Sequence, residues 1–251
     1  GALLSVTSGT LGGSLIPPGD VVAPVSCWYL LRAPPGHRVE LQLHRLVHIG
    51  TYNNGTTCNG GYVEVSDGIT SEVQSGTDPG GGDSDDGGGG GLNTWRVCGE
   101  DQRLHPPAVL YSDTGAATLT YKVSSKQGSP RFMAYYNFPL KSNPNTGDLQ
   151  RGGSRVEYTD CDWLYQDIHC RGSETCHLTS PGFPGLYPSS IRCRYLLAMS
   201  AKDIQATLTF LALDLPAERC AHNYIGVYAG TSSSSPLIAT LCGSQRKTLT
   251  F

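Results

Sequence analysis

Hydrophobic and polar residues alternate with a period of two along several stretches of the chain. Val39, Leu41 and Leu43 alternate with Glu40, Gln42 and His44, and Ile204, Ala206, Leu208 and Phe210 alternate with Gln205, Thr207 and Thr209. Ala117, Leu119, Tyr121 and Val123 make a third such run. Successive side chains of a strand point to opposite faces, so each run predicts a half-buried β-strand. The third run, a turn at Lys126–Pro130 and the segment Arg131–Tyr136 predict a closing hairpin. Between Cys176 and Cys193 the pattern breaks. Pro181, Pro184 and Pro188 restrict the backbone and Gly182 and Gly185 permit turns, so this stretch is a stapled loop or an edge, not an interior helix. From Cys193 onward Tyr195, Leu196 and Leu197 predict a buried strand.

The pattern occurs twice. Cys27-Trp28-Tyr29-Leu30-Leu31 matches Cys193-Arg194-Tyr195-Leu196-Leu197, and each is followed by one of the alternating segments. Cys58-x₃-Tyr62-Val63-x-Val65-x₂-Gly68 matches Cys220-x₃-Tyr224-Ile225-x-Val227-x₂-Gly230 with identical spacing, and both copies then reach a Cys-Gly pair, Cys98-Gly99 and Cys242-Gly243. Anchors recurring in one order predict duplication of a unit of ~110 residues, which is the size of a domain and not of a solenoid repeat. The copies differ between Gly68 and Cys98, where the first carries a Gly/Asp-rich insertion at 76–91. With little apolar surface to bury, that insertion reads as a solvated loop, and its acids Asp78, Asp83, Asp85 and Asp86 lack the spacing of an EF-hand.

Composition narrows the function. A net charge of −3 with no clustered Lys or Arg gives no reason to expect nucleic-acid binding. Nine cysteines among 32 glycines and 16 prolines point to an oxidising compartment, and none forms a C-x-x-C pair of the kind that holds zinc. No apolar run of ~18 residues predicts a membrane span. The motifs G-x-S-x-G, H-E-x-x-H and the P-loop are absent. His44 and His48 fall on a strand pattern and not on a helix, and the serines at 232 to 235 fall in a hairpin loop. Asn54-Gly55-Thr56 is a glycosylation sequon in a polar loop. The apolar centre of Cys161–Cys170 predicts a small segment stapled by a Cys161–Cys170 bond.

The residues Cys176, SPGFPGLYP and Cys193-x-Tyr195-Leu196 resemble the opening of a CUB domain, and Ser129-Pro130-Arg131-Phe132-x-Ala134-Tyr135-Tyr136 resembles its closing strand. The resemblance implies an all-β chain of two antiparallel jelly-roll β-sandwiches. The first would span residues 1–139, a linker with Cys161 and Cys170 would span 140–171, and a second unit, cut short at its C-terminal end, would span 172–251. It implies disulfides Cys58–Cys98, Cys176–Cys193 and Cys220–Cys242. Cys27 is then left over, for an upstream cysteine, for Cys161 or Cys170, or as a free thiol. CUB domains that hold calcium use a set of carboxylates. Carried over, the set leaves the first unit without a site and the second with Asp214 and Asn223 as weak candidates, so no cofactor is expected. The implied role is non-catalytic recognition of an extracellular or cell-surface protein, as part of a receptor or co-receptor ectodomain. The alternative is the substrate-binding arm of a tolloid-like or complement-type secreted protease. Direct membrane insertion within these residues is not expected.

Overall fold

The computed structural model describes residues 2–5, 12–15, 24–53, 57–70, 73, 94–124, 129–142, 152–159, 161–170, 176–188, 191–216, 220–244 and 247–250. Their regular secondary structure is nearly all β. Their contacts divide the chain into two compact units. One comprises residues 1–151, 155–162 and 176–194, and the other residues 152–154, 163–175 and 195–251.

The first unit contains β1 (Ala2–Ser5), β2 (Gly12–Leu15), β3 (Val25–Arg32), β4 (Glu40–Ile49), β5 (Thr51–Asn53), β6 (Thr57–Asn59), β7 (Gly61–Asp67), β8 (Thr94–Val97), β9 (Gly99–Tyr111), β10 (Ala116–Val123) and β11 (Arg131–Asn137). One sheet has the order β1-β3-β10-β7-β8 and a second the order β2-β11-β4-β9. Leu31, Val63, Val65, Leu119 and Tyr121 from the first sheet and Leu41, Leu43, Leu46, Phe132 and Ala134 from the second share one buried core. That is a β-sandwich, and the inward residues are the ones that the alternating pattern marks. The runs at Val39–His44, Ala117–Val123 and Arg131–Tyr136 fall on β4, β10 and β11. The β5–β6 hairpin packs Tyr52 back onto the sandwich, where its hydroxyl accepts a hydrogen bond from the Cys98 amide at 3.4 Å.

The remaining strands are β12 (Gly153–Arg155), β13 (Trp163–Gln166), β14 (Tyr195–Ala198), β15 (Thr207–Phe210), β16 (Ile225–Tyr228), β17 (Leu237–Leu241) and β18 (Lys247–Thr250). They form three small sheets: β12-β13-β14, β15-β18 and β16-β17. A second jelly roll is therefore not seen among the described residues. Serines 232 to 235 lie in the connection between the antiparallel strands β16 and β17.

Two of the four expected disulfides are replaced. Cys58 bonds Cys98 and Cys220 bonds Cys242, but Cys193 bonds Cys161, with Cα atoms 5.0 Å apart. Neither a Cys176–Cys193 nor a Cys161–Cys170 bond forms. The cause is register: β13 runs parallel to β14 with Trp163 opposite Tyr195, and the two cysteines that each stand two residues before those partners are brought side by side. Asp162 and Arg194, one residue further on, form an ion pair at 2.6 Å in the same register. Cys170 and Cys176 are also oxidised, and Cys27 is a free thiol on β3.

Candidate functional site

The outer face of the β2-β11-β4-β9 sheet carries several exposed arginines and a tyrosine. Pairing sets two rows across it. Met133, Arg45 and Arg103 are directly opposite one another on β11, β4 and β9, and Arg131, Val47 and Asp101 form the next row. Leu46 and Phe132, between these rows, are buried in the core, so the rows themselves face outward. Arg45, Arg103, Arg131 and Tyr135 are exposed.

His44 joins them through an irregularity. The pairing of β4 with β11 shifts between Met133 and Ala134, and that of β4 with β9 shifts between Leu43 and Arg45, so His44 has no strand partner on either side. A bulge of this kind re-aims a side chain, and it puts two consecutive residues, His44 and Arg45, into use on one surface. The His44 ring meets Tyr135 edge to face at 4.9 Å, and its Nε2 is 3.3 Å from the Gln42 side-chain oxygen. Arg45 donates to Asp101 from Nη2 at 2.9 Å and from Nε at 3.3 Å. That hydrogen bonding, then the charge of Arg45, holds the Asp101 carboxyl below its ordinary value, and His48 and Arg103 add to the effect. The surface thus sets Arg45, Arg103, Arg131 and His44 around Asp101.

A second polar cluster is structural. Arg38 is 1% exposed, and its guanidinium donates to the Ser112 carbonyl at 2.9 Å, the Phe183 carbonyl at 2.8 Å and Asp113 Oδ1 at 2.8 Å. Asp67 fixes the turn that carries Asp113, accepting from the Asp113 amide at 2.8 Å and from the Thr114 hydroxyl at 2.7 Å. The Arg38 guanidinium also lies 4.9 Å from the centre of the Tyr111 ring. Burial, reinforced by the nearby Glu40 carboxylate, pushes the Tyr111 phenol up to about 12.

The candidates named from the sequence are dispersed. Asp214 accepts a hydrogen bond from Ser244 Oγ at 2.7 Å across an isolated bridge, and Asn223 lies in the bend before β16. Among the described residues no three His, Cys, Asp or Glu side chains gather as a metal would require. Asn54 and the insertion at 76–91 lie outside the described residues. In the β16–β17 loop Ser232 Oγ and Ser234 Oγ are hydrogen-bonded at 2.6 Å. No helix among the described residues is long and apolar enough to cross a membrane.

A family model matches about the last third of the chain. Residues 170–250 match a CUB domain. The first sandwich lies outside the matched residues. Human cubilin is 28% identical to this chain over 229 residues, covering 90% of this chain and 5% of cubilin. Human tolloid-like protein 2 is 21% identical over 257 residues, covering 94% of this chain and 23% of that protein. The chain therefore spans less than a quarter of the length of either relative. Among solved structures, the CUB1-EGF-CUB2 domain of human MASP-1/3 aligns with a TM-score of 0.38 and 17% identity, over 94% of this chain and 87% of that one.

Two features of the site escape sequence reading. The bulge at His44 depends on how three strands register, and no local residue signals it. Arg38 stands one residue before an alternating strand, where a solvated charge is the ordinary expectation.

Proposed function

We propose that the chain is a non-catalytic extracellular recognition region that binds another protein as part of a receptor or co-receptor ectodomain. The observation that carries this reading is the outward face of the β11-β4-β9 sheet, where exposed Arg45, Arg103, Arg131 and Tyr135 surround half-buried His44. Arginine and tyrosine are enriched at protein interfaces because each supplies large contact area together with directional hydrogen bonds. A sheet places them more precisely than a loop does. The CUB match at 170–250 and the oxidised cysteines support an extracellular setting. The partner is an extracellular protein with an acidic contact surface, and the contacts need no calcium.

The test is binding of fluorescently labelled chain to intact cells by flow cytometry. The reading requires saturable binding that trypsin treatment of the cells abolishes and that chelators and heparinase leave in place. Binding that survives trypsin, or that only heparinase removes, would overturn it. The alternative of a substrate-binding protease arm is favoured by the alignment with tolloid-like protein 2 across 94% of this chain. It requires excess chain to slow a tolloid-like protease on a protein substrate, with no saturable cell binding.

A further inference from the structure

Tyr158 is 102% exposed, as open as a side chain in an extended peptide, and the next most open large hydrophobic among the described residues, Leu211, is 69%. It stands at the tip of a braced turn within the first unit. The Val156 amide donates to the Asp162 carbonyl at 2.9 Å, the Thr159 hydroxyl to the Val156 carbonyl at 2.8 Å and the Asp162 amide to Thr159 Oγ1 at 3.2 Å. The Cys161–Cys193 bond and two hydrogen bonds from Arg194, its amide to Asp162 Oδ1 at 2.8 Å and its Nε to Oδ2 at 2.7 Å, tie the end of the turn to the segment before β14. Tyr158 itself has φ +60°, in the left-handed region that a non-glycine residue rarely adopts. The turn therefore presents the ring and hydroxyl to an enzyme without local unfolding.

Charge singles out the same residue. Of the 13 tyrosines only Tyr158 and Tyr165 have three carboxylates within five residues in sequence, Glu157, Asp160 and Asp162 for the first and Asp160, Asp162 and Asp167 for the second. Tyr165 is 2% exposed on β13, so the fold leaves one of the two open. Glu157, directly before Tyr158, is exposed, whereas Asp162 is engaged by Arg194.

We propose that Tyr158 is a site of tyrosine O-sulfation. The phenol oxygen attacks the sulfur of a nucleotide phosphosulfate. The new O–S bond forms as the bond from sulfur to the bridging phosphate oxygen breaks, the nucleotide phosphate leaves with that electron pair, and the phenol proton passes to a base of the transferase. An enzyme that holds so anionic a donor carries positive charge around its acceptor cleft, and carboxylates flanking the acceptor steer it there. The ester puts a fixed negative charge at the turn tip, which an arginine or lysine can pair. For the choice of sulfate over phosphate the inference rests on the extracellular setting proposed above.

The experiment incubates the purified full chain, disulfides intact, with a tyrosylprotein sulfotransferase and its phosphosulfate donor, and locates the product by peptide mapping with mass spectrometry. One sulfuryl group on Tyr158 and none on Tyr165 is expected, and the reduced, unfolded chain is expected to accept on both. Glu157→Gln with Asp160→Asn is expected to slow transfer to Tyr158 at least fivefold. An unmodified folded chain, transfer to Tyr165 of the folded chain, or a rate that the charge change leaves alone overturns the proposal. Should the double variant fail to fold, ionic strength takes its place: at saturating donor, transfer to the wild-type Tyr158 is expected to slow as salt rises, and a salt-independent rate contradicts steering by charge. A second arm secretes the full chain from mammalian cells, behind an added export signal, in the presence of radiolabelled sulfate. The Tyr158 peptide is expected to carry label that Tyr158→Phe removes and phosphatase leaves in place. Secreted chain with no label in that peptide, or with a phosphatase-sensitive group there, overturns the proposal. Sulfated Tyr158 in a chain that fails the cell-binding test retires the recognition reading and leaves the sulfation site standing.

Discussion

Arg38 carries a full charge almost wholly out of water, which is tolerable because the guanidinium donors meet the Ser112 and Phe183 carbonyls and Asp113. Removing the counter-ion leaves that charge buried and uncompensated. Asp113→Ala is therefore expected to lower unfolding stability by about 3 kcal/mol in a denaturant titration. Asp101→Ala, which breaks a pair between exposed side chains, is expected to leave the midpoint unmoved. Equal effects would contradict the division between a structural cluster and a surface one. Burial gives a second check at this scale. It raises Tyr111 from the ordinary 10.0 to about 12 and raises Tyr121 further still. A group with a raised folded pKa keeps its full contribution below the unfolded value and loses it as pH climbs toward the folded one. Stability is thus expected to fall from pH 10.0 to about 12, with these two phenols ionising late in an ultraviolet titration.

Disulfides act at the scale of elements, tying the β6 strand to the β8–β9 junction and the segment before β13 to the segment before β14. Cys58 and Cys98 are 40 residues apart, and replacing both with alanine is expected to cost about 4 kcal/mol by releasing that loop in the unfolded chain. The strands themselves were legible in the sequence, because Leu41, Leu43, Leu119 and Tyr121 sit on the inward phase of a period-two pattern and are all buried. Cys58–Cys98 and Cys220–Cys242 form as the CUB resemblance implies. Cys161–Cys193 escapes sequence reading, because it depends on the parallel pairing of β13 with β14, two strands about 30 residues apart whose register no local residue states. The same limit hid the recognition face. Arg45, Arg103 and Arg131 are scattered along the chain, and only the register of β4 with its two neighbours gathers them.

At the scale of the molecule the two compact units differ in how they bury apolar surface. The large core cluster, with Leu31, Leu43, Ile49, Leu119 and Phe138 fully buried, lies in the first unit. In the other, Leu211 is 69% exposed and Leu237 56%. Opening free energy follows buried contacts, so amides of β4 and β10 are expected to exchange slowest and those of β15 to β18 fastest. The reading of the chain as a recognition region rests on the sheet face of the first unit. The measurement that tests it most directly compares cell-surface binding of the wild type with that of an Arg45→Glu, Arg103→Glu double variant whose folding is verified by near-ultraviolet circular dichroism. The account predicts at least a tenfold loss of trypsin-sensitive binding in the folded variant. Unchanged binding by a folded variant would contradict it and place recognition elsewhere on the chain.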